Sequence, residues 1–338
     1  MVLAVGGQEL GLKEIIMKNI KSKTKVLREL INRKKILYRV AVAIALDAKM
    51  AEAVGFEAVS ISGSNFASQV LGLPDAGLIT MTEVVENARR IASAVNIPVM
   101  VDCDTGFGNA INVRRTVQEM IRAGIAGLFI EDQLAPKRCG FVVGKELISI
   151  EEAVAKYRAA CDVRDEMDPD FVIMARTDGR TAVGGSLEEA ITRSIAYKEA
   201  GVDISYVEAL QSREEVKAVR AVVPGHLAVS VQAIRPLPTL QELEDLGCCM
   251  TLSNMFFQVG NVAKWDMLVE MKKHGLEPFN EWWEQHRGHP AAFPRYFELV
   301  GFSQVREWEE KYLSPERLKS KYEESQGLFE PGQEYKLR

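Results

Sequence analysis

Asp102, Cys103 and Asp104, followed by Thr105-Gly106-Phe107-Gly108, close a short apolar run over residues 98–103. Alternation along a strand puts Asp102 and Asp104 on one face, with Cys103 turned away. Three later apolar runs end in the same manner. Phe129-Ile130 leads into Glu131-Asp132, Met174-Ala175 into Arg176-Thr177-Asp178, and Tyr206-Val207 into Glu208. Three or four carboxylates gathered with a single arginine repel one another unless a cation sits among them. A hard divalent ion meets that need, and Mg2+ suits a few carboxylates completed by water or substrate oxygens. Taken singly, each of these carboxylates could equally cap a helix or pair with arginine. Their convergence is what points to chemistry.

Eight apolar runs supply the elements that would position these groups: 36–44, 57–62, 98–103, 126–131, 171–176, 203–208, 226–231 and 249–253. Runs of this length suit parallel strands buried on both faces. Between them, Thr80/Glu83, Ser149/Glu152, Ser186/Glu189, Ser212/Glu215 and Thr239/Glu242 fit the capping box that opens a helix. Strand and helix alternating in this way predict a (β/α)8 barrel over residues 36–255, with a doubly wound open sheet as the alternative. In a barrel the polar strand ends would share one mouth. Residues 1–35 read as a helical lead-in, through Leu12, Ile15, Ile16, Ile20 and then Val26, Leu27, Leu30, Ile31. Residues 256–338 read as helices for packing or oligomerisation.

The connection 132–149 is long for a compact domain, and such loops are usually functional lids. Cys139 lies in it, after Lys137 and Arg138 and before Gly140. Adjacent cations favour a thiolate and glycine permits movement, so a reactive or proton-donating cysteine is expected there, against a bland surface cysteine. The other four cysteines fall in strand or helix patterns and read as core. Gly106-Phe107-Gly108 lacks the spacing and lysine of a phosphate loop, and its flanking aspartates would repel phosphate. His286 and His289, separated by Arg287 and Gly288 and followed by Pro290, read as structural rather than as a metal pair.

The whole chain has 338 residues, 42 Lys plus Arg against 47 Asp plus Glu, and a net charge of −5. That balance gives no basic footprint for nucleic acid. No apolar run reaches membrane-spanning length, no signal-peptide pattern opens the chain, and five scattered cysteines suit a reducing cytoplasm. All four histidines follow residue 225, so acid–base chemistry carried by residues 1–225 must rest on carboxylates, Arg176, cysteine and metal.

Ser62-Gly63 with Leu71-Gly72-Leu73-Pro74-Asp75, then Val101 through Gly108, Ile130-Glu131-Asp132-Gln133, Lys137-Arg138-Cys139-Gly140 and Ala175-Arg176-Thr177-Asp178 together resemble the isocitrate lyase/phosphoenolpyruvate mutase superfamily. The resemblance runs over residues 36–255, and the Lys-Arg-Cys-Gly loop is similar to that of the 2-methylisocitrate and 2,3-dimethylmalate lyases. It implies a Mg2+-dependent barrel (Mn2+ being a substitute) in a homotetramer of dimers that exchange a C-terminal helix. By the same resemblance Asp104 would hold the metal directly, with Asp102, Asp75 and Glu131 holding it directly or through water. Ser62, Gly63 and the neighbouring Ser64 would grip the 2-oxo acid part, Arg176 its carboxylate, and Glu208, Gly140 and Phe141 would complete the substrate site. Cys139 would be the acid that protonates the departing carbanion, with Arg176 and Glu131 beside it in the catalytic set.

Two departures stand out. Phe141 replaces the histidine that follows this loop in such lyases, and Leu227-Ala228-Val229-Ser230-Val231-Gln232-Ala233 replaces a more polar seventh strand. Both remove donors for an anion, so the second half of the substrate is expected to be less anionic than succinate, unless Arg235 supplies a relocated contact. The reading is a carbon–carbon lyase of substituted malate-type 2-hydroxy acids. Oxaloacetate-type decarboxylation or hydrolysis, phosphonate chemistry, and a catalytically silent barrel are the alternatives.

Overall fold

The computed structural model describes residues 22–254, 256–327 and 329. In chain order the first elements are α1 (Lys23–Asn32), β1 (Leu37–Val42), α2 (Ala45–Ala53), β2 (Val59–Ile61), α3 (Gly63–Phe66), α4 (Met81–Ala94) and β3 (Val99–Asp102). There follow α5 (Ala110–Arg122), β4 (Gly127–Glu131), α6 (Ile150–Met167), β5 (Val172–Thr177), α7 (Leu187–Glu199), β6 (Ile204–Val207), α8 (Arg213–Val222), β7 (His226–Ser230), α9 (Leu240–Asp245) and β8 (Met250–Ser253). Each strand pairs in parallel with the next, and β1 also pairs with β8, so the sheet closes into the expected (β/α)8 barrel. Seven strands fall within the apolar runs, and β5 extends one residue beyond its run, to Thr177. The open-sheet alternative is excluded by the β1–β8 pairing.

Side chains on one face of each strand meet inside the barrel. Leu37, Met100, Phe129, Val172, Met174, Ile204, Tyr206, Ala228 and Met250 form one buried cluster with Leu27 and Ile31 of α1. Because Leu37, Val172, Ile204 and Met250 open their strands, α1 covers the N-terminal end of the barrel and leaves the other end for chemistry. The opposite strand faces pack outward. Val207, Leu227 and Val229 meet Ala190, Val216, Val219 and Leu243 of the surrounding helices. Fully burying side chains of this size contributes about 1.5–3 kcal/mol each. The apolar pattern at Leu12 to Ile20 lies outside the described residues.

The helix starts are set as expected, with a difference in detail. Thr80 and Thr239 form complete capping boxes with Glu83 and Glu242. Ser149, Ser186 and Ser212 accept the N3 amide hydrogen.

The chain divides into two compact units, one holding residues up to Ala45 with Phe56–Asn254, the other holding Leu46–Gly55 with the residues after Asn254. The second includes α10 (Phe256–His274), α11 (Glu277–His286), α12 (Tyr296–Val300), α13 (Phe302–Tyr312) and α14 (Pro315–Glu323). No residue described in these five helices is buried, and Val259, Val262, Trp265 and Leu268 of α10 are exposed. His286 and His289 make local hydrogen bonds, to the Trp282 carbonyl and from the Ala291 amide. No helix of the described residues is long and apolar enough to cross a membrane.

Candidate active site

The mouth is built where β2, β3 and β4 end. Ser62 caps α3, accepting weakly from the Asn65 amide at 3.5 Å, and the Gly63 amide donates to Asp102 Oδ2 at 3.2 Å. A Cβ on Gly63 would lie 2.9 Å from Asp104 Oδ1 and 3.2 Å from Asp102 Oδ2, so only glycine lets the backbone approach both carboxylates. Strand alternation does not carry Asp104 into place. β3 ends at Asp102, and Asp104 adopts a left-handed conformation with φ 46°. Its amide donates to Asp102 Oδ1 at 3.1 Å, which turns its carboxylate back to the same mouth. Such strained non-glycine residues cluster at functional sites.

Arg176, at the end of β5, organises the opposite side. It donates to Asp178 twice, at 2.9 and 3.2 Å, and lies 3.1 Å from Glu131 Oε2 and 3.5 Å from Glu208 Oε2. Burial opposes its charge, but these three carboxylates outweigh burial and hold its pKa well above the usual value. Glu208 is fixed in turn by the Tyr206 hydroxyl at 2.7 Å and the Ala209 amide at 3.0 Å.

The 132–149 connection folds over this mouth. It is pinned at its base by a Gln133–Leu147 bridge, and the Cys139 amide donates to the Asp75 carbonyl at 3.0 Å. Gly140 packs so close that a Cβ would lie 2.6 Å from Glu208 and 2.7 Å from Arg176 Nη2. Lys145, 1% exposed, donates to the Gly140 carbonyl, to Asp178 Oδ1 at 2.9 Å and to Thr181 Oγ1 at 2.7 Å. Lys137 is buried between Asp75, with which it pairs closely, and Asp104 Oδ1 at 2.9 Å. Cys139 itself is half-buried. Burial and then Asp75 raise its pKa, against the weaker pull of Arg176 and Lys137. The adjacent cations and a Phe141 amide hydrogen bond do lower it, but burial outweighs them, an environment that suits the proton-donating role expected of Cys139.

Whether these groups suit a divalent cation can be judged from their unmet bonding. Asp104 Oδ1 and both oxygens of Glu131 are buried without a hydrogen bond, although cations lie nearby. Burial pushes the Asp104 pKa up to about 7, Lys137 opposing, and raises Glu131 well above the carboxylate range. Oxygens in this condition want a cation. Among the described residues the carboxylates do not form a ready cage of three. Lys137 stands between two of them. The donor set, all carboxylate oxygen, fits Mg2+, which keeps several waters and needs few protein ligands.

The structure thus gathers Ser62, Gly63, Asp102, Asp104, Glu131, Arg176, Glu208 and Gly140 at one mouth, with Cys139 and Asp75 joined to it through the lid. Phe141 is 49% exposed, with its backbone hydrogen-bonded to the Cys139 thiol, and the Ser64 carbonyl accepts from Ser68 Oγ at 2.8 Å. Arg235 is turned away, donating to the Gln232 and Ile234 carbonyls. Sequence reasoning missed Lys145 and the anchoring role of Lys137. Asp178, two residues beyond Arg176 on the same strand face, carried a readable signal. A lysine in an irregular loop carries none.

Comparison with known proteins agrees with this geometry. Residues 27–254 match the phosphoenolpyruvate phosphomutase family. The chain is 40% identical over 291 residues to a 2,3-dimethylmalate lyase of Eubacterium barkeri, covering 85% of this chain and 97% of that one. Among solved structures it is similar to oxaloacetate acetylhydrolase in complex with 3,3-difluorooxalacetate, at 30% identity and TM-score 0.78, covering 86% of this chain and 97% of that one. It is also similar to phosphonopyruvate hydrolase in complex with oxalate and Mg2+, at 29% identity and TM-score 0.74, covering 87% and 100%. The chain belongs to the phosphoenolpyruvate mutase/isocitrate lyase superfamily, as a carbon–carbon lyase.

Proposed function

We propose that this enzyme cleaves a substituted malate-type 2-hydroxy acid, akin to 2-methylisocitrate or dimethylmalate, into a 2-oxo acid such as pyruvate and a second acid. The observation that carries the reading is a half-buried Cys139 held by the lid over the Arg176–Glu131 mouth, its pKa raised by burial. Retro-aldol cleavage needs a group that takes the hydroxyl proton, a charge field for the new oxyanion, and an acid for the departing carbon. Mg2+, held by Asp104 with Asp102, Glu131 and Asp75, would supply Lewis-acid stabilisation of the 2-oxo acid oxygens. Ser62 and the Gly63 backbone orient that end, and Arg176 binds its carboxylate. Glu131, which Arg176 and a bound cation would keep ionised, would accept the hydroxyl proton. The carbon–carbon bond breaks, its electron pair passes to the second acid as an enolate, and the Cys139 thiol protonates that carbon. The Lys137–Asp75 pair and the Lys145 contacts close the lid and exclude water from the carbanion.

The test is 2-oxo acid release across a panel of substituted malates, with and without Mg2+, for the wild type and Cys139→Ser. Release that requires metal and falls in the variant supports the reading. Equal release by Cys139→Ser would remove the acid role. A second reading, oxaloacetate-type hydrolysis, is favoured by the likeness to the acetylhydrolase and would show as oxalate and acetate from oxaloacetate. The exposed apolar side chains of α10 support packing of the C-terminal helices on a neighbouring subunit, as in the homotetramer that the family resemblance implies.

A further inference from the structure

One layer below the mouth, the barrel interior holds an arginine that the reaction as described does not use. Arg39, on β1, is 2% exposed. Its Nη1 donates to Ser60 Oγ at 3.3 Å and lies 3.0 Å from the Met100 thioether, a weak acceptor. Its Nε is buried with no hydrogen-bond partner. Among the described residues no carboxylate lies within ion-pair distance of it. Burial draws its pKa down to about 10, so it remains a cation at neutral pH. A buried charge without a counter-ion is costly, and proteins ordinarily pair it or replace it with an apolar residue.

Arg39 opens into the cavity that Arg176, Asp102 and Ser62 also line. That cavity measures about 40 Å3, and its remaining wall is mostly apolar, including Phe129, Met174 and Leu252. Room for about three waters is also room for one carboxylate. Asp102 and Glu208 also line this cavity, but Asp102 accepts from the Gly63 and Asp104 amides and Glu208 from the Tyr206 hydroxyl and the Ala209 amide, so the unused donors of Arg39 are left for an anion.

We infer that Arg39 is a specificity-determining residue that receives the far carboxylate of the substrate while Arg176 and the Asp102–Asp104 pair hold the 2-hydroxy acid end. The inference rests on the lyase reading above and assigns a receptor to the far carboxylate that any substituted malate carries. It also revises the expected apolar second half: the wall is apolar, but it carries one cation.

Titration of the Mg2+-loaded full chain with oxalate and with malate separates the two ends. Oxalate resembles the 2-oxo acid fragment alone and reports on that end, whereas malate adds the far carboxylate. Arg39→Met is expected to weaken malate binding about tenfold or more and to leave oxalate within about threefold, with Arg39→Lys recovering part of the loss. A merely structural role would move both ligands together, and that result, or no change in malate, overturns the assignment. Failure of oxalate to bind wild type would instead overturn the lyase reading on which it rests. Bromide soaked into wild-type crystals needs no variant: an anomalous peak within hydrogen-bond distance of Arg39 is expected, and a cavity holding only water overturns the assignment.

Discussion

Glu131 and Asp132 are adjacent at the end of β4, and the fold treats them in opposite ways. Asp132 points outward and accepts from Thr177 Oγ1 and the Tyr197 hydroxyl, each at 2.7 Å, and from the Asp178 amide at 3.0 Å. Glu131 points into the mouth, and neither of its oxygens has a hydrogen bond. The two arginines of the interior differ too: Arg176 is matched by three carboxylates at the mouth, whereas Arg39, one layer down, has none among the described residues. A carboxylate whose hydrogen bonds the protein completes, as at Asp132, serves the scaffold. One left without hydrogen bonds, as at Glu131, is open to a ligand, and the mismatch marks the site more sharply than burial does, since both are buried.

Several substitutions should break that contrast in order of size. Asp104→Ala removes an incomplete carboxylate and is expected to lower kcat/KM by about 10^4, as loss of metal-held oxyanion stabilisation does. The same change should abolish the rise in Tm that Mg2+ gives the wild type, read by thermal melts with and without chelator. Cys139→Ser should lower kcat by about 10^2–10^3 with little change in KM, because a less acidic hydroxyl still fits but donates poorly; steady-state kinetics on the best malate decides this. Asp132→Asn attacks the completed side. It is expected to cost about 2–3 kcal/mol in denaturant unfolding while folded enzyme keeps most of its kcat. Lys145→Met should lower kcat/KM only about tenfold and speed proteolysis near Arg138, because the lid loses its hold on Asp178 and Gly140.

Much of this was legible from residues alone. The eight strands were readable because buried parallel strands are continuous apolar runs with polar ends, as at Val101-Asp102 and Ala175-Arg176. The carboxylate mouth followed from those ends. Asp104 shows the limit: alternation put it on the right face for the wrong reason, since a left-handed turn and not the strand aims its carboxylate. Phe141 was assigned to the substrate site through the resemblance, as the residue standing where such lyases carry histidine, and the loop leaves its side chain partly exposed. Arg39 was invisible because one basic residue within an apolar run gives no hint that it faces the barrel interior without a partner. Lys145 was missed for the complementary reason, its contacts being made across loops far apart in sequence.

The central claim is that carbon–carbon cleavage leaves a carbanion protonated by Cys139. Product analysis by NMR in D2O tests it most directly. With Mg2+ and a substituted malate, the account predicts equimolar 2-oxo acid and second acid, the latter carrying one deuterium at the carbon released. That product should fall away in Cys139→Ser. Oxalate as co-product, or a second acid without deuterium, would contradict the account.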